Sequence, residues 1–240
     1  MPICSSSGSC ASRHRCQLSR RRQWTRHRQK HQSPRGSDEM RYRSLKRLTD
    51  PAVEPISVAD AKVHLRVEHD ADDAVIARCI AAAREWCEEY LDSTLIHTQW
   101  HLSFDIFPAH IELPRPPMAQ ADGYTGVTLT YTTDTQAGVT LPANEYRVDR
   151  DSRPGVLRPL YGDSWPSHLA DYNSISVTWW AGYGADGTAV PVRILSAMYM
   201  LVTHLYEQRS AVLVGQGVIS KHIEYGVRSL LDSSRWGAYA

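Results

Sequence analysis

The spacing of apolar residues changes twice along the chain, from a helical period to a strand period and back again. Between about residues 57 and 92, apolar side chains recur every three or four positions, which is typical of amphipathic helices. From about residue 98 to residue 180 they alternate with polar side chains, as they do in half-buried strands. The helical period returns at about residue 190. The pattern therefore predicts helices, an inserted sheet, and further helices.

Two start signals predict where the first helices begin. Ser57 and Asp60 have the spacing of a capping box, and they predict a short helix over about residues 57–66. Asp72 precedes a broad apolar face, and an acidic residue favours the positive end of a helix. The sequence therefore predicts a second helix of about five turns, over about residues 72–92.

The strand period is clearest in "TQWHLSFDIF", where Trp100, Leu102 and Phe104 alternate with polar residues. Turn-rich pieces separate this segment from further strand candidates that extend to Trp180. Short connections of this kind favour antiparallel pairing over parallel crossovers. We therefore expect an inserted antiparallel β region over about residues 98–180.

The end of the chain predicts one long helix and one short one. Pro191 suits the first turn of a helix, and the apolar stripe that follows predicts a helix over about residues 190–208. The segment "YGVRSLLDSSRWG" predicts a short C-terminal helix. The fold class is therefore α+β, with a helical core of two N-terminal helices, one long late helix and a short C-terminal helix around the β region. We expect the folded domain to cover residues 40–214 and a C-terminal segment to cover residues 215–240.

Charge is distributed unevenly along the 240 residues. Residues 1–39 contain nine Lys or Arg and two acidic residues, a net charge of +7, whereas residues 40–240 carry −6. The first segment is nearly empty of Leu, Ile and Val, so it cannot bury enough surface to fold. Two interpretations remain open: a disordered extension or mis-called gene start, or an arginine arm that binds nucleic-acid phosphates.

The stretch "GYGADG" at residues 182–187 matches the glycine pattern of a dinucleotide-binding loop. That loop requires a second parallel strand after its helix and an acidic residue about 20 positions beyond the glycines. The acidic residue at that distance is Glu207, which lies inside the predicted helix, and no strand-like run follows. The stretch therefore indicates a strand-to-helix turn, in which Gly182 and Gly184 adopt positive φ.

Sequence motifs for catalysis, metal binding and membrane insertion are lacking. The chain has no GxSxG, HExxH or GxxxxGK[ST] pattern, and its cysteines do not have the spacing of zinc ligands. Cys79 and Cys87, eight positions apart on the second predicted helix, are expected to be small core residues in a reducing compartment. No stretch approaches 18 consecutive apolar residues. We expect no enzymatic activity, no cofactor, no metal and no membrane partner.

Five segments carry a family resemblance when they are taken in order: "PISVADAKVHLRVEHDADDAVIARCIAAAREWCEEYLD", "LPRPP", "VTWWAGYG", "VPVRILSAMYMLVTHLYEQR" and "YGVRSLLDSSRW". Their order and spacing resemble those of head–tail connector proteins of tailed phages and prophages, including the adaptors of gene transfer agents. The resemblance extends from about Arg43 to Trp236. The sequence departs from the family pattern in residues 1–39 and in the doubled Trp179-Trp180.

The resemblance implies a structural protein of the virion with no catalysis. Connectors of this family form rings, typically of twelve copies, that dock under the portal, extend the DNA channel and meet the next tail or stopper component. The implied partners are other copies, the portal, that component, and double-stranded DNA that passes without sequence-specific binding. The host cytoplasm is the implied place of assembly. The alternative is a non-specific DNA-binding protein that uses the basic N-terminal arm.

The family's C-terminal segment often reaches toward the portal. By position, the resemblance therefore implicates eight residues in interfaces: Tyr206, Glu207, Arg209, Tyr225, Arg228, Leu231, Arg235 and Trp236.

Overall fold

The computed structural model describes residues 42–120, 123–124, 126–208 and 219–235, and within the last of these ranges it describes side chains from Gly226 onward. The predicted basic extension, residues 1–39, lies outside the described residues.

Four α-helices lie in the described part of the chain: α1 (Val58–Leu65), α2 (Asp73–Leu91), α3 (Val192–Glu207) and α4 (Ile219–Asp232). The first three lie within the predicted ranges. The fourth begins before the segment "YGVRSLLDSSRWG" that predicted it, and its 14 residues make it longer than expected.

Local chemistry sets the limits of the first two helices. The Ser57 side chain accepts a hydrogen bond from the Asp60 backbone amide at 3.0 Å, which caps α1. The reciprocal half of the predicted capping box differs, because the Ser57 hydroxyl also donates to Asp60 Oδ2 at 2.6 Å. Arg66 and Asp92 adopt left-handed φ values of 59° and 50°, and these residues end α1 and α2.

Eight strands lie in the described residues: β1 (Ser44–Arg47), β2 (Thr98–Phe104), β3 (Ile111–Leu113), β4 (Val127–Thr132), β5 (Gly138–Leu141), β6 (Tyr146–Asp149), β7 (Gly155–Pro159) and β8 (Ile175–Ala181). They form a five-stranded sheet in the order β1-β2-β8-β4-β5 and a three-stranded sheet in the order β3-β7-β6. Every ladder between these strands is antiparallel, as predicted. The fold is therefore mixed α+β.

The first strand corrects the predicted limits of the β region. β1 precedes both early helices and pairs with β2 at the edge of the larger sheet, with Leu45 opposite Leu102. Its four residues are too few to show an alternating pattern, and two of them are basic. The sequence therefore gave no strand signal before about residue 98.

Two separate hydrophobic clusters form the core. One joins the helices, and its fully buried members include Ile76, Ile80, Ile194 and Met198. The other fills the space between the two sheets around Trp179. Because the β region is inserted between α2 and α3, the chain passes from the helical cluster to the sheet cluster and back.

The two segments that connect the helical cluster with the sheet cluster lie side by side, and "GYGADG" forms the second of them. The Tyr183 amide donates to the Leu95 carbonyl at 3.0 Å, and the His97 amide donates to the Gly184 carbonyl at 2.8 Å. Gly182 has a φ of +132°, as predicted, and a Cβ there would lie 2.6 Å from the backbone carbon of Ile96. The stretch is thus a tightly packed crossing of two backbone segments.

The prediction of positive φ at Gly184 is wrong. Its φ is not in the positive region, and the constraint on this residue is one of space. A Cβ on Gly184 would lie 2.6 Å from the Cβ of Ala189. Glycine is required here because the turn that follows folds back onto it, and Ala189 is only five residues further along the chain.

Candidate interface surfaces

Four of the eight residues implicated in interfaces have described side chains that are exposed or half-buried, on α3 or on the segment from α4 to residue 235. Tyr206 is half-buried, and its hydroxyl donates to Asp72 Oδ2 at 2.6 Å. This hydrogen bond ties the end of α3 to the start of α2. Glu207, the last residue of α3, is exposed. Arg228 and Arg235 are also exposed.

The other four residues do not present a described outward surface. Leu231 is fully buried in the helical cluster, so its side chain packs α4 against the core and faces no partner. Tyr225 lies on α4, but its side chain is outside the description. Arg209 and Trp236 lie outside the described residues.

Arg228 and Arg235 converge on one aromatic ring. Their guanidinium carbons lie 5.8 Å and 5.4 Å from the centroid of the Tyr90 ring, within the range of a cation–π contact. The Tyr90 hydroxyl donates to Asp232 Oδ1 at 2.5 Å, and this hydrogen bond raises the pKa of Tyr90. The ring also stacks on Trp86, with centroids 5.2 Å apart. We call Arg228 and Arg235 the arginine patch.

The role of Trp86 and Tyr90 is not evident from the sequence. Both continue the apolar stripe of the second helix, so their spacing indicated core residues. The signal that distinguishes them is their position near the end of α2, where the α4 segment passes over them. That packing joins residues 142 positions apart, such as Tyr90 and Asp232, and it is not readable from either segment alone.

The neighbouring flank of α2 is acidic. Glu85 and Glu89 lie one turn apart and are both exposed. Glu85 has a 3.5 Å contact with Arg84, whereas no ion pair or hydrogen bond of the Glu89 side chain occurs among the described residues. Glu89 lies in the last turn of α2, near the negative end of the helix dipole, and that turn contains no basic residue. We call Glu85 and Glu89 the glutamate pair.

A buried ionic cluster lies between α2 and the larger sheet. Glu88 is 3% exposed, and its Oε2 accepts from Arg84 Nη1 at 3.0 Å and from Arg47 Nη2 at 2.7 Å. Its Oε1 accepts from the Leu95 amide at 3.0 Å. Burial lowers the pKa of Arg84, but Glu88 and Glu54 raise it by more, so the guanidinium stays charged. The cluster joins α2, β1 and the segment that enters β2.

An open cleft of about 330 Å³ lies over this cluster, and it is lined by Arg47, Trp100, Arg115, Glu88 and both members of the glutamate pair. Its two arginines and Glu88 are already engaged within the chain, whereas the glutamate pair lies at its exposed side. Arg47 pairs with Glu88, and Arg115 Nη1 donates to the Glu88 carbonyl at 3.1 Å. The Trp100 ring nitrogen donates to Thr94 Oγ1 at 3.0 Å. We therefore assign the cleft to the packing of the sheet on the helices and not to a ligand.

The described residues do not support a metal site or a membrane-spanning helix. Across these ranges, no group of three or more His, Cys, Asp or Glu side chains is placed to hold a metal ion. No helix among them is long and apolar enough to cross a membrane.

Cys87 should resist alkylation in the folded protein. Burial raises the pKa of its thiol to about 12, so almost no reactive thiolate is present at pH 8. Cys79, half-buried on the same helix, should react faster. Trypsin cleavage after Arg84 separates the two cysteines, so mass spectrometry after timed iodoacetamide labelling measures each rate. Similar rates are expected after denaturation, and similar rates in the native protein would contradict this assignment.

Comparison with known proteins shows which family this architecture resembles. Residues 55–147 match the model of the phage gp6-like head-tail connector protein family. Among curated proteins, no sequence matches.

Solved structures of gene transfer agent (GTA) particles contain chains of similar fold. A chain in the neck of an empty GTA particle, computed with C6 symmetry, is 21% identical over 80% of this chain and 95% of its own length, with a TM-score of 0.64. A chain in the virion of a native particle is 23% identical over 80% and 94%, with a TM-score of 0.63. A chain in a native neck computed with C12 symmetry is 22% identical over 80% and 94%, with a TM-score of 0.59.

The fold and the family match agree with the order of segments in the sequence, and they confirm the resemblance drawn from it. Residues 55–147 carry the match to the phage gp6-like head-tail connector family, and the chain has the fold of proteins found in gene transfer agent particles.

Proposed function

We propose that this protein is a structural head–tail connector of a tailed phage, a prophage or a gene transfer agent. It forms a ring under the portal, extends the DNA channel and joins the head to the tail. The observation that carries the proposal is the family match over residues 55–147, which covers α1, α2 and the strands from β2 to β5. The similarity of fold to GTA neck chains, over 80% of this chain, supports the same role.

The ring contains twelve copies in this proposal. Support comes from the similar chain in a native neck, which was computed with C12 symmetry. The net charge of −6 over residues 40–240 suits a conduit, because an acidic wall repels the phosphates of passing DNA instead of retaining them. Double-stranded DNA is therefore a passing partner, with no sequence-specific contact.

The other proposed partners are the portal on one side and the next tail or stopper component on the other. The protein resides at the head–tail junction of the virion, and before assembly it is in the cytoplasm of the bacterial host. No catalytic step belongs to this role, since the matched family is a structural one. The DNA-binding alternative depends on residues 1–39, and no observation on the described residues favours it.

Reconstitution on the portal tests the proposed function. The full-length chain is mixed with the portal protein from the same genome, and the particles are washed at high ionic strength and imaged by cryo-electron microscopy. We expect a ring of additional density coaxial with the portal. A basic protein of similar size serves as the control for electrostatic attachment, because residues 1–39 carry a net charge of +7. Portal particles without added density, with the chain left in the unbound fraction, would contradict the proposal.

A further inference from the structure

We propose that neighbouring copies in the ring bind each other through two charged surfaces: the arginine patch of one copy contacts the glutamate pair of the next. The inference rests on the proposed function, since that function requires copies to assemble. It adds the residues and the chemistry of one contact between copies.

The arginine patch is preorganised for recognition of carboxylates. Arg228 and Arg235 are exposed, and both guanidinium groups lie against the Tyr90 ring. The ring is itself fixed by stacking on Trp86 and by its hydrogen bond to Asp232. A guanidinium held on an aromatic face loses less freedom when it binds, and its planar donors match a carboxylate in a two-point contact. Arginine beside tyrosine and tryptophan is also the composition typical of interface hot spots.

The glutamate pair has the opposite charge and needs a partner. Glu85 and Glu89 are like charges one turn apart, and Glu89 also lies in the last turn, near the negative end of the α2 dipole. Both effects are unfavourable for an isolated helix. Basic groups from another copy would offset both. Within the chain, Arg84 reaches only Glu85, at 3.5 Å, and the two arginines of the shared cleft pair with Glu88 and Asp92 instead.

The two surfaces have matching dimensions. Because both guanidinium groups lie within 6 Å of the same Tyr90 ring, they are no farther than about 11 Å apart. Side chains at positions i and i+4 of a helix have Cβ atoms about 6 Å apart, so Glu85 and Glu89 can each meet one arginine.

The placement of the surfaces favours a head-to-tail contact. Tyr90 and Glu89 are consecutive on α2, so their side chains diverge by about 100° around the helix axis. The two surfaces therefore face different directions on one copy and are available to two different neighbours. A contact between unlike surfaces repeats from copy to copy and closes into a ring when its rotation allows. A two-fold dimer would instead pair like with like, which these charges disfavour.

Charge reversal with rescue tests the contact. Association of the full-length chain is measured by analytical ultracentrifugation at low ionic strength. Two double variants are made, Arg228→Glu with Arg235→Glu, and Glu85→Arg with Glu89→Arg. Each places like charges in apposition, and we expect each to raise the dissociation constant between copies by about 30-fold or more. The fourfold variant restores opposite charges with the sides exchanged, and we expect it to recover association.

A matched control separates this contact from the effect of net charge. Arg147 and Arg158 are exposed and face each other across β6 and β7, in the three-stranded sheet, which contains neither charged surface. Changing both to glutamate alters the net charge as much as changing the arginine patch does, yet it should leave association unchanged. Combining that change with Glu85→Arg and Glu89→Arg restores the wild-type net charge, and it should not rescue association.

Folding of the variants is checked by thermal denaturation. The Glu85→Arg and Glu89→Arg variant should still fold, because both positions are exposed, although it loses the 3.5 Å contact between Glu85 and Arg84. Its loss of association would then reflect the contact alone.

Three results would overturn the contact: a wild-type chain that stays monomeric at low ionic strength, single-side reversals that still associate, or a fourfold variant that does not. All three are compatible with a ring formed on the portal, so they leave the proposed function standing. Failure of the reconstitution on the portal would remove both.

Discussion

Replacing Glu88 with glutamine is expected to lower the free energy of unfolding by about 1.5–3 kcal/mol. Glu88 neutralises Arg84, which is 4% exposed, and it also accepts from Arg47. Glutamine keeps an acceptor for the Leu95 amide but removes the charge. The Arg84 guanidinium keeps Glu54 as a counter-charge at 2.9 Å, so the expected cost is that of weakening two charge-assisted hydrogen bonds and not that of an unpaired buried charge. Chemical denaturation of dilute protein, followed by circular dichroism, measures the difference.

Glu89→Gln provides the matched control, because Glu89 is the adjacent residue on α2 and is exposed. Surface substitutions of this kind change stability by about 0.5 kcal/mol or less. If Glu88→Gln were as mild as its neighbour, the ionic cluster would not hold the sheet to the helices. The same comparison also shows whether the helices and the sheets unfold together, since loss of the ionic cluster would allow them to unfold in two separate transitions.

Replacing Gly182 with alanine is expected to lower the free energy of unfolding by about 3 kcal/mol or more. Two costs combine at this position. The φ of +132° is one that residues with a Cβ rarely adopt, and holding it costs about 1–3 kcal/mol. The added Cβ would lie 2.6 Å from the carbon and 2.7 Å from the oxygen of Ile96, both backbone atoms that no rotamer change can move. Overpacking of this kind adds about 1–3 kcal/mol.

Gly138→Ala is the control for this change. Gly138 lies in β5, nothing lies within 4 Å of a Cβ built on it, and its φ is outside the strained positive region. Alanine there should be neutral or slightly stabilising, since it reduces the freedom of the unfolded chain. Equal effects at the two glycines would mean that the crossing beside Ile96 adapts easily, contrary to the geometry.

Much of the fold was predictable because its longest helices and strands have one buried face and one more exposed face. The apolar stripe that includes Ile76 and Ile80 placed α2 to within one residue at each end. Alternation around Trp100 and Leu102 placed β2, and both residues are buried as expected. These signals are local, since one buried face repeats over several turns or several strand positions.

The parts that escaped prediction depend on contacts between distant segments. β1 is a strand because β2 offers it a ladder about 55 residues later in the chain, not because "SLKR" favours one. Glu88 has the appearance of an ordinary surface glutamate until Arg47 and Leu95 surround it. The arginine patch likewise exists only because α4 returns to the end of α2. Leu231, expected at an interface, is buried by the same return.

The position of β1 has a consequence for folding during synthesis. β1 emerges from the ribosome before the other described elements, yet the five-stranded sheet that it joins is not complete until β8, more than 130 residues later. The helical cluster forms later still, because the apolar faces of α1 and α2 cannot be buried until α3 has been synthesised. Such long sequence separations slow folding, and the early helices expose their apolar faces meanwhile. Yield from recombinant expression should therefore depend on chaperones and temperature more than the stability of the finished protein would suggest.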